Sequence, residues 1–355
     1  MKLEYDVVPL ETLHPFHIAR AAAPPMRYAV QVRLRDADGL VGMGEAAPSV
    51  FYGETAETVT AVLPKLEAAL NEAAREGGRD EPDLFALERI ERALAHAVGG
   101  NAAARVAVSA ALHDLIGKRL GVPVWRLWGL DPAAAPLSSF TIGLDEPEVM
   151  RERVREAKGY PILKIKIGTP RDEQLLALVR DEAPDVRLRV DANTAWTAKQ
   201  ALQRLPMLEA YDVELLEQPL APDDLEGFAL VRRHARMPVI ADESCKTAAD
   251  IPRLVGRVDG INIKLMKCGS LREAVRMVHV ARAHRMQVML GCMVESTLGI
   301  AAAVQIAPLV DYADLDGAAL LARDPFTGPG LERDGRLRFN TAPGLGVQPA
   351  EAAAP

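Results

Sequence analysis

Beyond residue 136 the chain settles into a rhythm of short apolar runs separated by amphipathic stretches long enough for a helix. The runs occupy residues 139–144, 162–167, 187–190, 213–216, 239–241, 260–264, 287–290 and 312–315. Runs this short read as strands buried on both faces, as in a parallel sheet covered by helices. Polar residues close them, and Lys166, Asp191, Glu217, Asp242 and Lys264 follow one another at intervals of 25, 26, 25 and 22 residues. A near-constant strand–helix period with right-handed crossovers closes into a barrel, and barrel chemistry gathers at the C-terminal strand ends.

The first 125 residues have a different texture. Residues 28–34 alternate in polarity like a half-buried strand, Asp36-Ala-Asp-Gly39 makes a turn, and residues 40–45 return. From 55 to 119 the apolar spacing becomes helical, with an alanine-rich amphipathic segment at 101–120. After Gly317 the rhythm breaks into turns and a hairpin within 331–339 around Asp334-Gly335, and 349–355 reads as a frayed tail. The expected class is α/β, with an N-terminal α+β unit over 1–125, a barrel over 126–320 and a C-terminal segment over 321–355 that returns to the first unit.

Length and charge narrow the function. A domain takes roughly 100–200 residues and α/β barrels reach about 250, so 355 residues suit one large and one smaller domain. With 49% hydrophobic and 26% charged residues and a mean hydropathy of +0.02, the chain is neither disordered nor membrane-spanning in character. Its 42 Lys+Arg against 49 Asp+Glu leave a net charge of -7, which argues against nucleic acid and toward a small substrate. Cys245, Cys268 and Cys292 show no zinc-ligand spacing and read as core thiols in a reducing compartment. The N-terminus lacks the apolar segment of a signal peptide, and the longest apolar stretch, 298–310, is too short to cross a bilayer. A cytoplasmic protein follows, with assembly into a homo-oligomer left open.

Three consecutive strand ends carry acids: Asp191-Ala-Asn193, Glu217-Gln-Pro219 and Asp242-Glu-Ser244. One such acid commonly caps the following helix; three in register supply hard oxygen ligands for one Mg²⁺ ion with positions left for substrate. The second strand holds Lys164-Ile-Lys166, whose ammonium groups face the same way. Each like-charged neighbour is expected to lower the other's pKa toward that of a usable base. Strand six ends Asn262-Ile-Lys264, half a circumference away, so Lys166 and Lys264 face each other across the mouth. Two opposed bases can take a proton from one face of a carbon acid and return it to the other, which predicts inversion. Lys267, at the start of the following loop, is expected to be solvated.

In this order the five motifs resemble the enolase superfamily, in particular its muconate-lactonising subgroup. The resemblance implies a modified TIM barrel, (β/α)7β, with an N-terminal α+β capping domain. It also implies that Asp191, Glu217 and Asp242 carry Mg²⁺, that Lys166 and Lys264 are the acid/base pair, and that Lys164 supports Lys166 and a substrate carboxylate. It implies as the shared step removal of a proton α to a carboxylate through a metal-stabilised enolate, with a Lys or His base working beside Mg²⁺. The mandelate-racemase branch places histidines near strands six and seven, whereas the seven histidines here lie away from predicted strand ends.

Strand eight ends Asp314-Leu-Asp316-Gly317, two carboxylates at i and i+2 suited to an ammonium group. Alone, the pair suits a turn; here it resembles the Asp-x-Asp motif of dipeptide epimerases, which bind the free α-ammonium of the N-terminal residue. The implied reaction is inversion of the α-carbon of a dipeptide's C-terminal residue. N-acylamino acid racemase, o-succinylbenzoate synthase and muconate cycloisomerase remain alternatives within the superfamily, and a catalytically silent binding barrel or a metallohydrolase outside it. Side-chain preference is expected from two capping loops, residues 16–26 and 48–54, with Phe51 and Tyr52 closing over the site. Arg20 would favour an acidic side chain, Glu54 or Glu295 a cationic one.

Overall fold

The computed structural model describes residues 1–19, 21–22, 26–75 and 82–350. Its N-terminal part is a three-stranded antiparallel sheet of β1 (Lys2–Glu11), β2 (Met26–Arg35) and β3 (Val41–Ala46), with β2 in the centre. Val30, Val32 and Leu34 of β2 are fully buried against helices α1 (Ala56–Arg75), α2 (Leu87–Ala97) and α3 (Ala102–Leu120). Residue spacing explains the closeness of this packing. The alanines of α3 leave its backbone bare, and a Cβ at Gly44 of β3 would collide with the Ala107 carbonyl. The turn between β2 and β3 closes at Gly39, whose φ of 84° suits glycine.

Eight parallel strands follow in chain order around a barrel: β4 (Phe140–Ile142), β5 (Ile162–Lys166), β6 (Arg187–Asp191), β7 (Val213–Glu217), β8 (Val239–Ala241), β9 (Gly260–Lys264), β10 (Gln287–Gly291) and β11 (Tyr312–Asp314). A parallel bridge from Ser138 to Ala313, with Ser139 N donating to the Ala313 carbonyl at 3.0 Å, joins the first strand to the last. Every residue of β5 and β9 is buried, as expected of strands covered on both faces. All eight predicted runs are strands. Full helices join most of them, but between β8 and β9 the crossover shrinks to a 3₁₀ turn, Ala248–Asp250, and one short helical turn, Ile251–Leu254. This shortening accounts for the smaller interval before Lys264.

Register sets the height of the site. Lys166 of β5 pairs with Asp191 of β6, which pairs with Glu217 of β7, and an irregularity between Leu188 and Arg189 brings the last pair into line. Across the barrel, Lys264 pairs with Gly291 and Gly291 with Asp314. Below this layer Arg189 lies buried in the barrel, its Nε 2.6 Å from Glu214 Oε2 and its Nη1 2.8 Å from the Ala313 carbonyl.

The N-terminal unit sits over the mouth. His17 O accepts from Leu144 N just past β4, and Ala47 N donates to Met266 Sδ just past Lys264. Most buried apolar residues form one continuous cluster from Leu66 and Leu112 to Ile165 and Leu290, and Leu215, Ile240 and Met289 form a small separate one. The C-terminal segment returns to α3: Leu345 N donates to Asp114 Oδ1 at 2.7 Å and Val124 N to the Gly344 carbonyl. The expected hairpin forms between Gly330–Leu331 and Leu337–Arg338, with Gly335 at φ 81°. Pro349, the first residue of the tail expected to fray, pairs instead with Phe326, beside the Gln348–Thr327 pair; residues 351–355 of that tail lie outside the described residues. Among the described residues no helix is long and apolar enough to cross a membrane.

Candidate active site

Asp191, Glu217 and Asp242 end or directly follow three adjacent strands, are fully buried, and each offers a carboxylate oxygen within 4.8 Å of the others. The chain turns sharply after the first two: Asn193 and Thr194 have φ of 43° and 70°, and Gln218 has 36°. Left-handed backbone at non-glycine residues is a cost that active sites commonly carry. Here it turns the peptide back so that Asn193 N donates to Asp191 Oδ1 at 2.8 Å, and Gln218 Oε1 accepts from the backbone of Asp242 and Ser244. Asn262 Nδ2 holds Glu217 Oε1 at 2.6 Å. Gln218 and Asn262 therefore orient the carboxylates. Sequence reasoning quoted both within motifs without giving either a task.

Three buried carboxylates in one place repel. Burial, and then the charges of Asp191 and Asp242, push Glu217 up to about 7 against the pull of Lys164. Asp242 goes the other way: burial would raise it, but Lys264 and Lys267 hold it well below the usual range. A donor set made only of hard carboxylate oxygens, on rigid strand ends and lacking a nitrogen or sulfur ligand, fits Mg²⁺.

The two opposed lysines stand at either side of this cluster. Lys166 Nζ is 2.6 Å from Asp191 Oδ2, and Lys264 Nζ is 2.8 Å from Asp242 Oδ2. Gly291 makes room for the second: a Cβ there would lie 2.7 Å from Asn262 Oδ1 and 3.1 Å from Lys264 Cε. Lys164 faces inward as strand alternation requires, but its own pKa moves opposite to the lowering that a like-charged neighbour predicts. Its ammonium bonds Asp314 and lies 3.2 Å from Glu217 Oε2. Burial alone would lower its pKa; Asp314, Glu217 and Asp191 outweigh burial and hold it well above the ordinary lysine range. Lys264 is likewise held high, by Asp242 and Glu217 against burial. Lys267, expected in solvent, is buried and donates to Asp242 Oδ1 and to the carbonyls of Asp242, Cys245 and Asn262. The short helical turn after Lys264, Leu265–Cys268, folds it inward rather than out along a loop.

Asp314 and Asp316 both reach the mouth. Asp314 is bound by Lys164 and by Ser139 Oγ at 2.7 Å. Asp316 lies just past the strand, where its Oδ2 accepts from Thr141 N; burial, reinforced by Asp314, pushes it up to about 6. Lys164, Lys166, Lys264, Asp314 and Asp316 share one cavity of about 240 Å³, whose wall also includes Phe16, Ile18 and Phe51.

The predicted specificity residues fare differently. Phe51 and Tyr52 meet edge to face at 5.0 Å within the 3₁₀ turn Val50–Tyr52, Phe51 lines the cavity, and Lys246 lies over the Tyr52 ring. Glu54 does not face the cavity; it accepts from Ala102 N and Ala103 N at the start of α3, a better use for a buried carboxylate. Glu295 is buried outside the cavity lining, accepting from Met293 N at 2.8 Å. Arg20 lies outside the described residues. Arg27, which lies between the predicted capping loop 16–26 and the predicted strand 28–34 and was given no role there, lines the cavity.

Residues 3–129 match the N-terminal domain of the mandelate racemase / muconate lactonizing enzyme family, and residues 149–353 match the family described as enolase C-terminal domain-like. The chain belongs to the enolase superfamily. Within that superfamily it is 37% identical to an L-Ala-D/L-Glu epimerase of Bacteroides thetaiotaomicron over 98% of this chain and 88% of the relative. It is 38% identical to a hydrophobic dipeptide epimerase of Roseobacter litoralis, over 94% of each chain. A solved dipeptide epimerase of Enterococcus faecalis, complexed with Mg and the dipeptide L-Leu-L-Tyr, superposes with a TM-score of 0.88 at 33% identity, covering 97% of this chain and 98% of that one. The superfamily fold, a barrel with a separate N-terminal domain, is thus the fold described above.

Proposed function

We propose that this enolase-superfamily chain is a Mg²⁺-dependent dipeptide epimerase, an isomerase that inverts the α-carbon of the C-terminal residue of a dipeptide. The observation that carries the reading is a single cavity lined by Lys166, Lys264, Asp314 and Asp316, in which the two lysines are paired with Asp191 and Asp242 of the cluster of three carboxylates. The substrate is a small molecule, and the free thiols Cys245, Cys268 and Cys292 suit a cytoplasmic enzyme. Residues 1–125 serve as the cap, 126–320 as the barrel, and the segment from 321 ties the two together.

Asp191, Glu217 and Asp242 would hold the Mg²⁺, whose positive charge offsets the negative charge that builds on the substrate carboxylate as the α-proton leaves. Lys166 removes that proton from one face and Lys264 delivers a proton to the other, or the reverse for the opposite epimer. The carboxylates that keep Lys264 protonated, Asp242 and Glu217, are two of the three that would hold the cation, which would then compete for the charge that holds this proton. Asp316 receives the substrate ammonium; Asp314, spent on Lys164 and Ser139, positions that lysine and adds negative charge. Phe16 and Phe51 keep water from the reacting carbon.

The test is α-deuterium incorporation and epimer formation from L-Ala-L-Xaa dipeptides in D₂O with Mg²⁺. Asp316→Asn is expected to lower kcat/KM about 100-fold, the worth of a charge-assisted ammonium contact in a dry site. Unaltered turnover in that variant would point to a substrate without an ammonium, such as an N-acylamino acid.

A further inference from the structure

Arg27 lines the cavity, and among the described residues it has no counter-charge. It is the second residue of β2, opposite Leu10 of β1, and both line the cavity. The residue is only partly exposed, and its Nε is buried with no hydrogen-bond partner among the described residues. Burial lowers its pKa, and no carboxylate among the described residues acts against that shift. The other cations of the same cavity are all compensated: Lys164 by Asp314 and Glu217, Lys166 by Asp191, Lys264 by Asp242. A charge drawn out of water with no partner costs folding stability, so a protein that keeps one in a substrate cavity gains from it when the cavity is filled.

Geometry says which part of a substrate reaches it. With the α-hydrogen on the line between Lys166 and Lys264, the carboxylate toward Asp191, Glu217 and Asp242, and the peptide nitrogen toward Asp316, the remaining substituent is the side chain. It points at the cap, where Phe16, Ile18, Phe51 and Arg27 form the wall.

Resting on the epimerase reading, we propose that Arg27 is the counter-charge for a side-chain carboxylate, making dipeptides that end in glutamate or aspartate the preferred substrates. The guanidinium fork matches a carboxylate in a way that an amide does not. This charge comes from a strand of the cap sheet, so it is held more rigidly than a residue in a capping loop.

The experiment compares kcat/KM for L-Ala-L-Glu and its neutral isostere L-Ala-L-Gln, by α-deuterium incorporation, in the wild type, R27Q and R27K. The wild type is expected to favour the acidic substrate by about 30- to 100-fold; R27Q brings the ratio to about one through loss of the acidic substrate, and R27K restores part of it. Thermal melting of R27Q should match or exceed the wild type, since an uncompensated charge has been removed. A wild-type ratio near one, or an R27Q variant that keeps the wild-type ratio, overturns the assignment and leaves the epimerase reading standing. No exchange by the wild type with L-Ala-L-Glu, L-Ala-L-Gln or a broad dipeptide panel overturns the epimerase reading itself, and this inference with it.

Discussion

Lys166 and Lys264 stand on opposite sides of the three carboxylates, and each has a second lysine beside it. On the first side the companion is Lys164, two residues earlier on the same strand, which ties Glu217 of β7 to Asp314 of β11 across the barrel. On the second it is Lys267, three residues later on a helical turn, which ties Asp242 to the carbonyls of Cys245 and Asn262. The companions are locked by several bonds each, whereas Lys166 and Lys264 each donate to a single carboxylate oxygen. Bond number separates the pairs better than charge does. An ammonium shared among several fixed acceptors is a strut; one with a single acceptor that a cation would also claim is free to exchange a proton.

The largest expected effect falls on the two lightly held lysines. Replacing either by alanine is expected to slow epimerisation about 10²- to 10⁴-fold, the worth of a positioned acid–base group. The two variants should differ in kind: the epimer whose α-proton faces the surviving lysine still exchanges with D₂O although it no longer inverts. Chiral chromatography with mass spectrometry reads both. A Lys166→Ala or Lys264→Ala enzyme that inverts within tenfold of wild type would remove that residue from the pair.

The struts should matter for folding instead. Lys267→Met leaves Asp242 with one buried partner fewer and removes a donor from three backbone carbonyls, and a broken buried ion pair costs about 3–5 kcal/mol. Lys264→Met removes one contact to the same carboxylate and should cost clearly less. Urea denaturation of the metal-free variants compares them; equal losses would erase the distinction between strut and base.

Much of this was legible in the sequence, and the reason is physical. Strand ends in a parallel barrel all point to one mouth, so regular spacing of Lys166, Asp191, Glu217, Asp242 and Lys264 sufficed to bring them together without knowing how the helices pack. Side chains whose partners come from distant segments were not legible. Lys267 looked solvated because a helical turn after Lys264 is invisible in five residues. Lys164 looked like a lysine of lowered pKa because its compensation by Asp314 comes from a strand 150 residues away. Glu54 and Arg27 show the same limit: one acid of the capping loop is taken by the start of α3, while an unremarked arginine in β2 opens into the cavity. Burial and partner decide such cases, and both are properties of the fold.

The smallest effect tests the wall behind Lys264, where a buried acid adds to the asymmetry between the two sides. Glu295 and Glu45 both border Gly299, with Glu45 also bound to Ser296 N at 2.8 Å. Burial, and then the nearby Glu45, raise Glu295 to about 8 against the opposing influence of Lys264 and the Met293 amide; burial raises Glu45 to about 7. The folded state therefore keeps these protons at pH values where the unfolded chain, near 4.5, has lost them. Their contribution to stability is complete below that value and fades as pH rises through about 7 and 8. Glu295→Gln keeps the acceptor for Met293 N yet cannot ionise. It is expected to flatten the fall of Tm between pH 5 and 9 and to raise Tm by a few degrees at the alkaline end. An identical Tm-against-pH profile for wild type and variant would show that Glu295 does not titrate in that window, and would leave the difference between the two sides to the lysines alone.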